Sequence, residues 1–234
     1  MKNSDDSASL NQKILIFGAS RGLGRAILVE LLREDPAAKF FCVSRRWTPL
    51  PYEKSASEEK NNSRIKFVAY DLSQPLALEF LDQLKEFSPT KVIYCVGGGP
   101  YGRFERKEWK DHQWALQVSF LSLAQLLHYC MSQLPQVNQV VVIGSAIAEE
   151  HADPMAASYA AAKHALRGLL SSIQSERGTH DESFNNMNKG TELDLRLYSP
   201  GYIDTDMLPK KAKPRQEGVR IFSSEELAKD LVLW

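Results

Sequence analysis

From residue 13 onward, short apolar runs alternate with longer stretches in which apolar residues recur every three or four positions. The runs are KILIF (13–17), KFFCV (39–43), IKFVA (65–69), KVIYCV (91–96), QVVVI (139–143) and LDLRLY (193–198). Several are apolar almost throughout and rich in Val, Ile and Phe, which predicts parallel strands covered on both faces. Between them, Leu23, Ile27 and Leu31 repeat every four residues and predict a helix. Ser73 as N-cap predicts another, carrying Leu76, Phe80 and Leu84 and closed by Pro89. A long helix is predicted over 108–133, ending ahead of Pro135, and an alanine-rich one over 156–176. Strand–helix alternation of this kind predicts an α/β fold: one doubly wound parallel sheet with helices on both faces.

Two polar stretches interrupt the rhythm, at 47–63 and 178–191, and read as surface loops because the alternation resumes after each. One domain is therefore expected over 13–234, behind a flexible polar tail at 1–12 that lacks the apolar core of a secretory signal. The composition agrees: 43% apolar residues supply a sizeable core for a single domain. Lys plus Arg and Asp plus Glu number 29 each, a balance that speaks against nucleic acid or an anionic membrane as partner. No apolar run approaches the roughly 18 residues of a membrane span. Cys42, Cys95 and Cys130 are odd in number and set in apolar surroundings, which predicts buried, reduced thiols and a cytoplasmic protein. The five histidines have no metal-ligand spacing, so no metal is expected. Trp109 and Trp114 are expected to pack the long helix. His151 and Asp153 read as a solvated loop, with a substrate-loop role as the alternative, and Lys210, Lys211, Lys213 and Arg215 as an exposed basic loop.

The first strand runs into Gly18-Ala19-Ser20-Arg21-Gly22-Leu23-Gly24 and then into a helix. Glycines there permit a tight turn and let a pyrophosphate approach the helix N-terminus, where free N–H groups and the helix dipole attract anions. The second strand ends in Ser44-Arg45-Arg46, with no carboxylate between Phe40 and Leu50. A carboxylate at that place would hold the ribose hydroxyls of NAD, whereas a cation suits the 2′-phosphate of NADP. Arg21 is a second candidate for that phosphate.

In Ser158-Tyr159-Ala160-Ala161-Ala162-Lys163, Tyr159 and Lys163 lie four apart and share a helix face. A phenol titrates near pH 10, and a neighbouring ammonium is expected to lower that value. Together the glycine turn, the Tyr159/Lys163 pair and Ser145, which lies 14 residues before Tyr159 at the end of QVVVI, resemble the signature of the short-chain dehydrogenase/reductase family. Asp71-Leu72 resembles the family's adenine-contacting motif. Pro200-Gly201-Tyr202-Ile203-Asp204-Thr205 resembles its P-G-x-x-x-T element beside the nicotinamide. These motifs keep the family's order across residues 13–206.

The resemblance implies a Rossmann-like domain, NADP(H) as cofactor and hydride transfer to or from a carbonyl or alcohol substrate. Tyr159 would carry the proton, Ser145 would hold the substrate oxygen, and Lys163 would bind the nicotinamide ribose. Gly18, Ser20, Arg21, Gly22, Leu23, Gly24, Ser44, Arg45, Arg46, Asp71, Leu72, Gly97, Pro200, Gly201, Ile203 and Thr205 would complete the cofactor site. A homodimer through the alanine-rich helix and the long helix before it is also implied. Three departures stand out. Tyr94-Cys95-Val96-Gly97 replaces the family's N-N-A-G. Ser119 stands where an asparagine would support a proton relay. The final LAKDLVLW comes before the place of a seventh strand. The rival expectation is a cofactor-binding sensor or scaffold without turnover; an epimerase or dehydratase using the same Tyr and Lys is a third.

Overall fold

The computed structural model describes residues 12–47, 50, 63–146, 154–178, 193–208 and 210–233. The expected N-terminal tail apart from Gln12, the two polar loops apart from Trp47, Leu50, Ser63 and Gly178, and His151 and Asp153 lie outside the described residues. Strands β1 (Lys13–Phe17), β2 (Lys39–Ser44), β3 (Ile65–Ala69), β4 (Lys91–Tyr94), β5 (Gln139–Ile143) and β6 (Asp194–Tyr198) form one sheet in the order β3-β2-β1-β4-β5-β6. Every pairing in it is parallel. Successive side chains point to opposite faces. Leu15, Phe17, Phe41, Val43, Val92 and Tyr94 thus join a core under one helical layer: α2 (Leu78–Phe87), α3 (Trp109–Leu116), α4 (Ser122–Gln133) and α5 (Ala157–Gly178). Ile14, Ile16, Phe40, Cys42 and Ile93 face the other way, onto α1 (Gly22–Glu34) and a C-terminal helix at Ser224–Leu233. The apolar strand runs predict this two-sided burial, and the α/β expectation holds.

Strand order turns back between β1 and β4. Successive crossovers proceed one way to β3 and the other way to β6, so a crevice opens beyond the carboxyl ends of β1 and β4.

Several boundaries differ from the sequence expectation, each for a local reason. Helix α2 starts at Leu78, with Ala77 rather than Ser73 at its N-cap. The Ser73 N–H donates to Asp71 Oδ1 in a local turn, and Pro75 disfavours helical backbone at Gln74. The helix stops at Ser88, which adopts a left-handed conformation (φ 56°) just before Pro89. The long helix is interrupted by a π-turn over Gln117–Leu121 between α3 and α4. Its loosened carbonyls find partners: the Ser122 hydroxyl donates to Gln117 C=O at 2.9 Å, and the Tyr94 hydroxyl to Val118 C=O at 2.8 Å. Beyond β6 the chain forms elements that its apolar pattern does not announce. They are a two-stranded pair, β7 (Tyr202–Ile203) with β8 (Ile221–Phe222), a short α6 (Lys213–Gln216) and α7 (Ser224–Leu233). Helix α7 buries Leu227, Ala228 and Leu231 against α1.

Candidate active site

The turn after β1 is built around Gly18, which sits at φ 87° with its N–H on Val43 C=O. A Cβ there would come 2.7 Å from Cys95 C=O, so the turn can lie this close to β4 only as glycine. Helix α1 begins with Arg21 at its N-cap, no side chain capping its first N–H groups and no acid in its first turn. Those donors and the positive end of the helix dipole are left facing the crevice, which suits a dinucleotide pyrophosphate.

The crevice has a volume of about 2100 Å³, well beyond the roughly 300–1,000 Å³ of a small-ligand pocket. Its lining includes Gly18, Ser20, Arg21, Gly22, Leu23, Gly24, Ser44, Arg45, Arg46, Asp71, Leu72 and Gly97 from the first four strands and their turns. Ser145, Tyr159, Lys163, Pro200, Gly201, Ile203 and Thr205 line it from the other side. Every residue picked out from the sequence for cofactor or chemistry therefore meets in one place, apart from Ser119. Ser119 is fully buried behind the wall, where its hydroxyl accepts from Gly98 N–H and donates to Gly98 C=O, both at 3.1 Å.

Arg45 and Arg46 are exposed at the end of β2, while the Ser44 hydroxyl is turned onto Arg46 C=O at 2.9 Å. Arg21 lies 3.5 Å from Asp206 in an ion pair open to solvent, which ties the glycine turn to the segment after β7. Asp71 accepts from Ser73 N–H at the rim. Arg215 does not belong to an open basic loop. It is half-buried, with its guanidinium 2.6 Å from Asp204, so this part of the segment is braced. Lys210 and Lys211 are exposed as expected.

On the other side, α5 carries Tyr159 and Lys163 one turn apart, with the Lys163 ammonium 5.7 Å from the centre of the Tyr159 ring. Lys163 is only 3% exposed, and its Nζ donates to Ile143 C=O at 2.7 Å and to Val96 C=O at 3.4 Å. Burial lowers its pKa to about 8. Burial also pushes the Tyr159 phenol up to about 12, opposed by a hydrogen bond with the Ser145 side chain. This runs against the expected lowering of the phenol: desolvation is the largest influence on it, and two carbonyls hold the Lys163 ammonium. Tyr159 is thus a neutral phenol at pH 7, in the protonation state of a proton donor.

The structure adds residues that the sequence did not single out. His112 on α3 is buried between two partners, Ser158 Oγ at 2.6 Å from Nδ1 and Phe104 C=O at 3.1 Å from Nε2. A carbonyl only accepts, so Nε2 carries the proton and Nδ1 accepts from the Ser158 hydroxyl. The residue next to Tyr159 is thereby fastened to α3. Of the two tryptophans expected in the helix packing, Trp109 is 64% exposed at the first position of α3, whereas Trp114 packs against the core and also lines the crevice. Trp114 precedes Val118 by four residues, and that helical spacing was the available signal for its direction. Cys42 and Cys130 are buried as expected; Cys95 is partly open and lines the crevice, its thiol pushed up to about 12 by burial.

A family profile described as short chain dehydrogenase matches residues 12–216. Hydroxysteroid 11-beta-dehydrogenase 1-like protein B from Xenopus laevis is 26% identical over 226 residues, spanning 94% of this chain and 73% of that protein. Among solved structures, BdcA in complex with NADPH superposes with a TM-score of 0.69 at 19% identity, covering 95% of this chain and 86% of that one. A 3-oxoacyl (acyl-carrier-protein) reductase from Agrobacterium tumefaciens C58 with NADP bound gives 0.70 at 20% identity, covering 94% and 85%. At such identities the structural likeness speaks for the fold. Among the described residues no helix is long and apolar enough to cross a membrane, and no group of His, Cys, Asp and Glu is placed to hold a metal ion.

Proposed function

Because this chain belongs to the short-chain dehydrogenase/reductase family of oxidoreductases, we propose that it is an NADP(H)-dependent carbonyl reductase or alcohol dehydrogenase, working chiefly as a reductase. The observation that carries this reading is a half-buried Tyr159, hydrogen-bonded to Ser145 and one helical turn from a buried Lys163, on the wall of a dinucleotide-sized crevice.

NADP(H), when bound, supplies or takes up the hydride. Its phosphates would lie on the glycine turn from Gly18 to Gly24, its adenine by Asp71 and Leu72, and its nicotinamide ribose by Lys163. Pro200, Gly201, Ile203 and Thr205 would flank the ring. The residues of the chain do the rest. Ser145 and Tyr159 hold the substrate oxygen by hydrogen bonds and so fix the reacting carbon. Tyr159 gives its proton to that oxygen as the carbonyl is reduced, or takes it in the reverse direction. Lys163 stabilises the phenolate left behind. Ser119 and Tyr94 hold the π-turn and Gly98 in place, with Ser119 at the relay position.

Arg45, with Arg46 and Arg21 nearby, favours NADP(H) over NAD(H). A guanidinium can fork onto the 2′-phosphate, and no carboxylate opposes it there. The expected preference is about 30- to 1,000-fold. The chain is also proposed to form a homodimer. Ala157, Ala161, Ala165 and Gly168 make a low face along α5, with Ala157, Ala161 and Gly168 exposed, and Leu121 is exposed on the neighbouring helix. Its three free cysteines suit the reducing cytoplasm. Titrating NADPH and NADH, then following NADPH consumption across aldehydes, ketones and diketones, tests the assignment. Equal affinity for the two cofactors overturns the NADP choice. Tight NADPH binding without consumption favours the sensor reading, which the altered Tyr94–Gly97 segment motivates.

A further inference from the structure

Between β3 and α2, residues 71–77 form neither strand nor helix, so side chains must supply much of what a ladder would. One anchor is local. The Tyr70 hydroxyl, its ring stacked on Phe80 at 4.1 Å, donates to Pro75 C=O at 3.0 Å and accepts from Ala77 N–H at 2.8 Å. The other comes from α4. Leu76 N–H donates to Gln125 Oε1 at 2.8 Å, and Gln125 Nε2 donates back to Leu76 C=O at 3.0 Å. A peptide N–H only donates and a peptide C=O only accepts, so the pair fixes which way round the amide lies. Three residues earlier on α4, Ser122 Oγ reaches Leu72 C=O at 2.9 Å.

The segment so held carries part of the crevice wall. Asp71 and Leu72 line the crevice, whereas Ser122 and Gln125 are not among its lining residues. Leu72 and Leu76 are buried in the core that α4 also covers. With both peptide groups of Leu76 bonded to one side chain, and Leu72 bonded from the same helix, the segment cannot slide along the sheet edge without breaking these bonds. An apolar side chain at position 125 would leave the N–H and C=O of a buried residue unpartnered. That cost favours a shift of the segment toward water, and the shift would carry Asp71 and Leu72 with it.

We infer that Gln125, assisted by Ser122, is a positioning residue for the adenine end of the cofactor site: from outside the crevice it sets where Asp71 and Leu72 stand. The inference rests on the NADP(H) reading above, which puts the adenine beside those two residues. Its effect differs in kind from that of Arg45. An arginine on the 2′-phosphate distinguishes NADP(H) from NAD(H), whereas adenine is common to both, so Gln125 acts on the two alike.

The test is a calorimetric titration of the full chain with 2′,5′-ADP and with 5′-AMP, beside steady-state rates with NADPH and a ketone that the protein consumes. Gln125→Met, similar in length but without the amide, should weaken both nucleotides by the same factor of about 5–10. The KM for NADPH should rise to match while kcat stays within about twofold. Tyr70→Phe keeps the stacked ring and removes only the hydroxyl at the other anchor. It should weaken both nucleotides about threefold, and it decides the matter if Gln125→Met folds poorly. Tyr129→Phe breaks a different hydrogen bond of α4, to Leu81 C=O at 3.2 Å, and should leave both affinities within about twofold. Unchanged affinities in Gln125→Met, a fall in kcat as large as the rise in KM, or an equal loss in Tyr129→Phe overturns the inference. A loss confined to 2′,5′-ADP overturns it too, because adenine is then not what Gln125 positions. In each of these cases wild-type binding of 2′,5′-ADP and NADPH leaves the NADP(H) reading standing. A wild type that binds neither removes that reading, and the inference with it.

Discussion

On the β3–β2–β1 side of the crevice, the groups proposed to meet the nucleotide stand in water. Arg45 and Arg46 are exposed, and the Arg21–Asp206 pair leaves its side chains 70% and 85% exposed. On the β4–β5 side, the polar groups are buried: His112, Ser119, Ser122, Ser145, Ser158 and Lys163, with Ser224 the one further buried polar residue among those described. Each of the six has a hydrogen-bonding partner, from Ser158 on His112 to Lys163 on Ile143 C=O. An exposed cation costs little to keep and little to lose, so recognition of the nucleotide can rest on side chains that act separately. A buried polar group must keep its partners or cost stability, so each group on the β4–β5 side depends on the particular atoms that it bonds. Substitutions on the two sides should therefore fail in different ways.

The largest effect is expected on the β4–β5 side, at the half-buried Tyr159. Tyr159→Phe should lower turnover by about 100-fold or more while NADPH binds as before, measured by steady-state rates and a fluorescence titration. A wild-type rate in that variant would remove Tyr159 from the mechanism. Across the crevice, Arg45→Asp should abolish most of the preference for NADPH over NADH, with the thermal midpoint unchanged because the side chain is exposed. If Arg46→Ala loses the preference and Arg45→Ala does not, the neighbouring arginine holds the phosphate.

Acidity gives a third contrast. Lys163 has a pKa lowered to about 8 and is charged below that pH, whereas Tyr159, pushed up to about 12, stays protonated well above it. The reduction rate should hold steady below pH 7 and fall as pH rises through about 8, when Lys163 loses its charge. Lys163→Arg, whose guanidinium stays charged, should remove that fall from whatever rate remains, and an unaltered pH profile would exclude Lys163 as its source. The smallest effect concerns stability. His112→Phe strands the Ser158 hydroxyl and Phe104 C=O and should cost about 1–3 kcal/mol in a denaturant titration. Arg21→Ala on the open side should cost less than about 1 kcal/mol. Equal losses in the two variants would erase the distinction between the halves.

The same distinction decides what was legible in the sequence. Strands β1 and β5 match their apolar runs, because a strand buried on both faces must be apolar nearly throughout, and the edge strand β3 matches its run although it is only partly buried. The glycine turn, Ser145, Tyr159 and Lys163 could be singled out because the motifs they resemble fix residue type and spacing, and the structure brings them to one crevice. The π-turn was not, since it depends on Tyr94 and Ser122 reaching carbonyls far away in the chain or freed by the turn itself. His112 gave no signal, because its partner Ser158 is 46 residues distant. The upward shift of Tyr159 is hidden for a related reason: the ammonium four residues away is visible in the sequence, and the desolvation of the phenol in the fold is not.

The most direct test of the account tracks the hydride itself. Full-length protein would be incubated with NADPH deuterated at the transferable C4 position and a ketone that it consumes, and the alcohol product weighed by mass spectrometry. The account predicts one deuterium on the carbinol carbon for each NADPH oxidised, and product formation falling about 100-fold or more in Tyr159→Phe. NADPH bound and retained across the ketone panel, or a product free of deuterium, would contradict it.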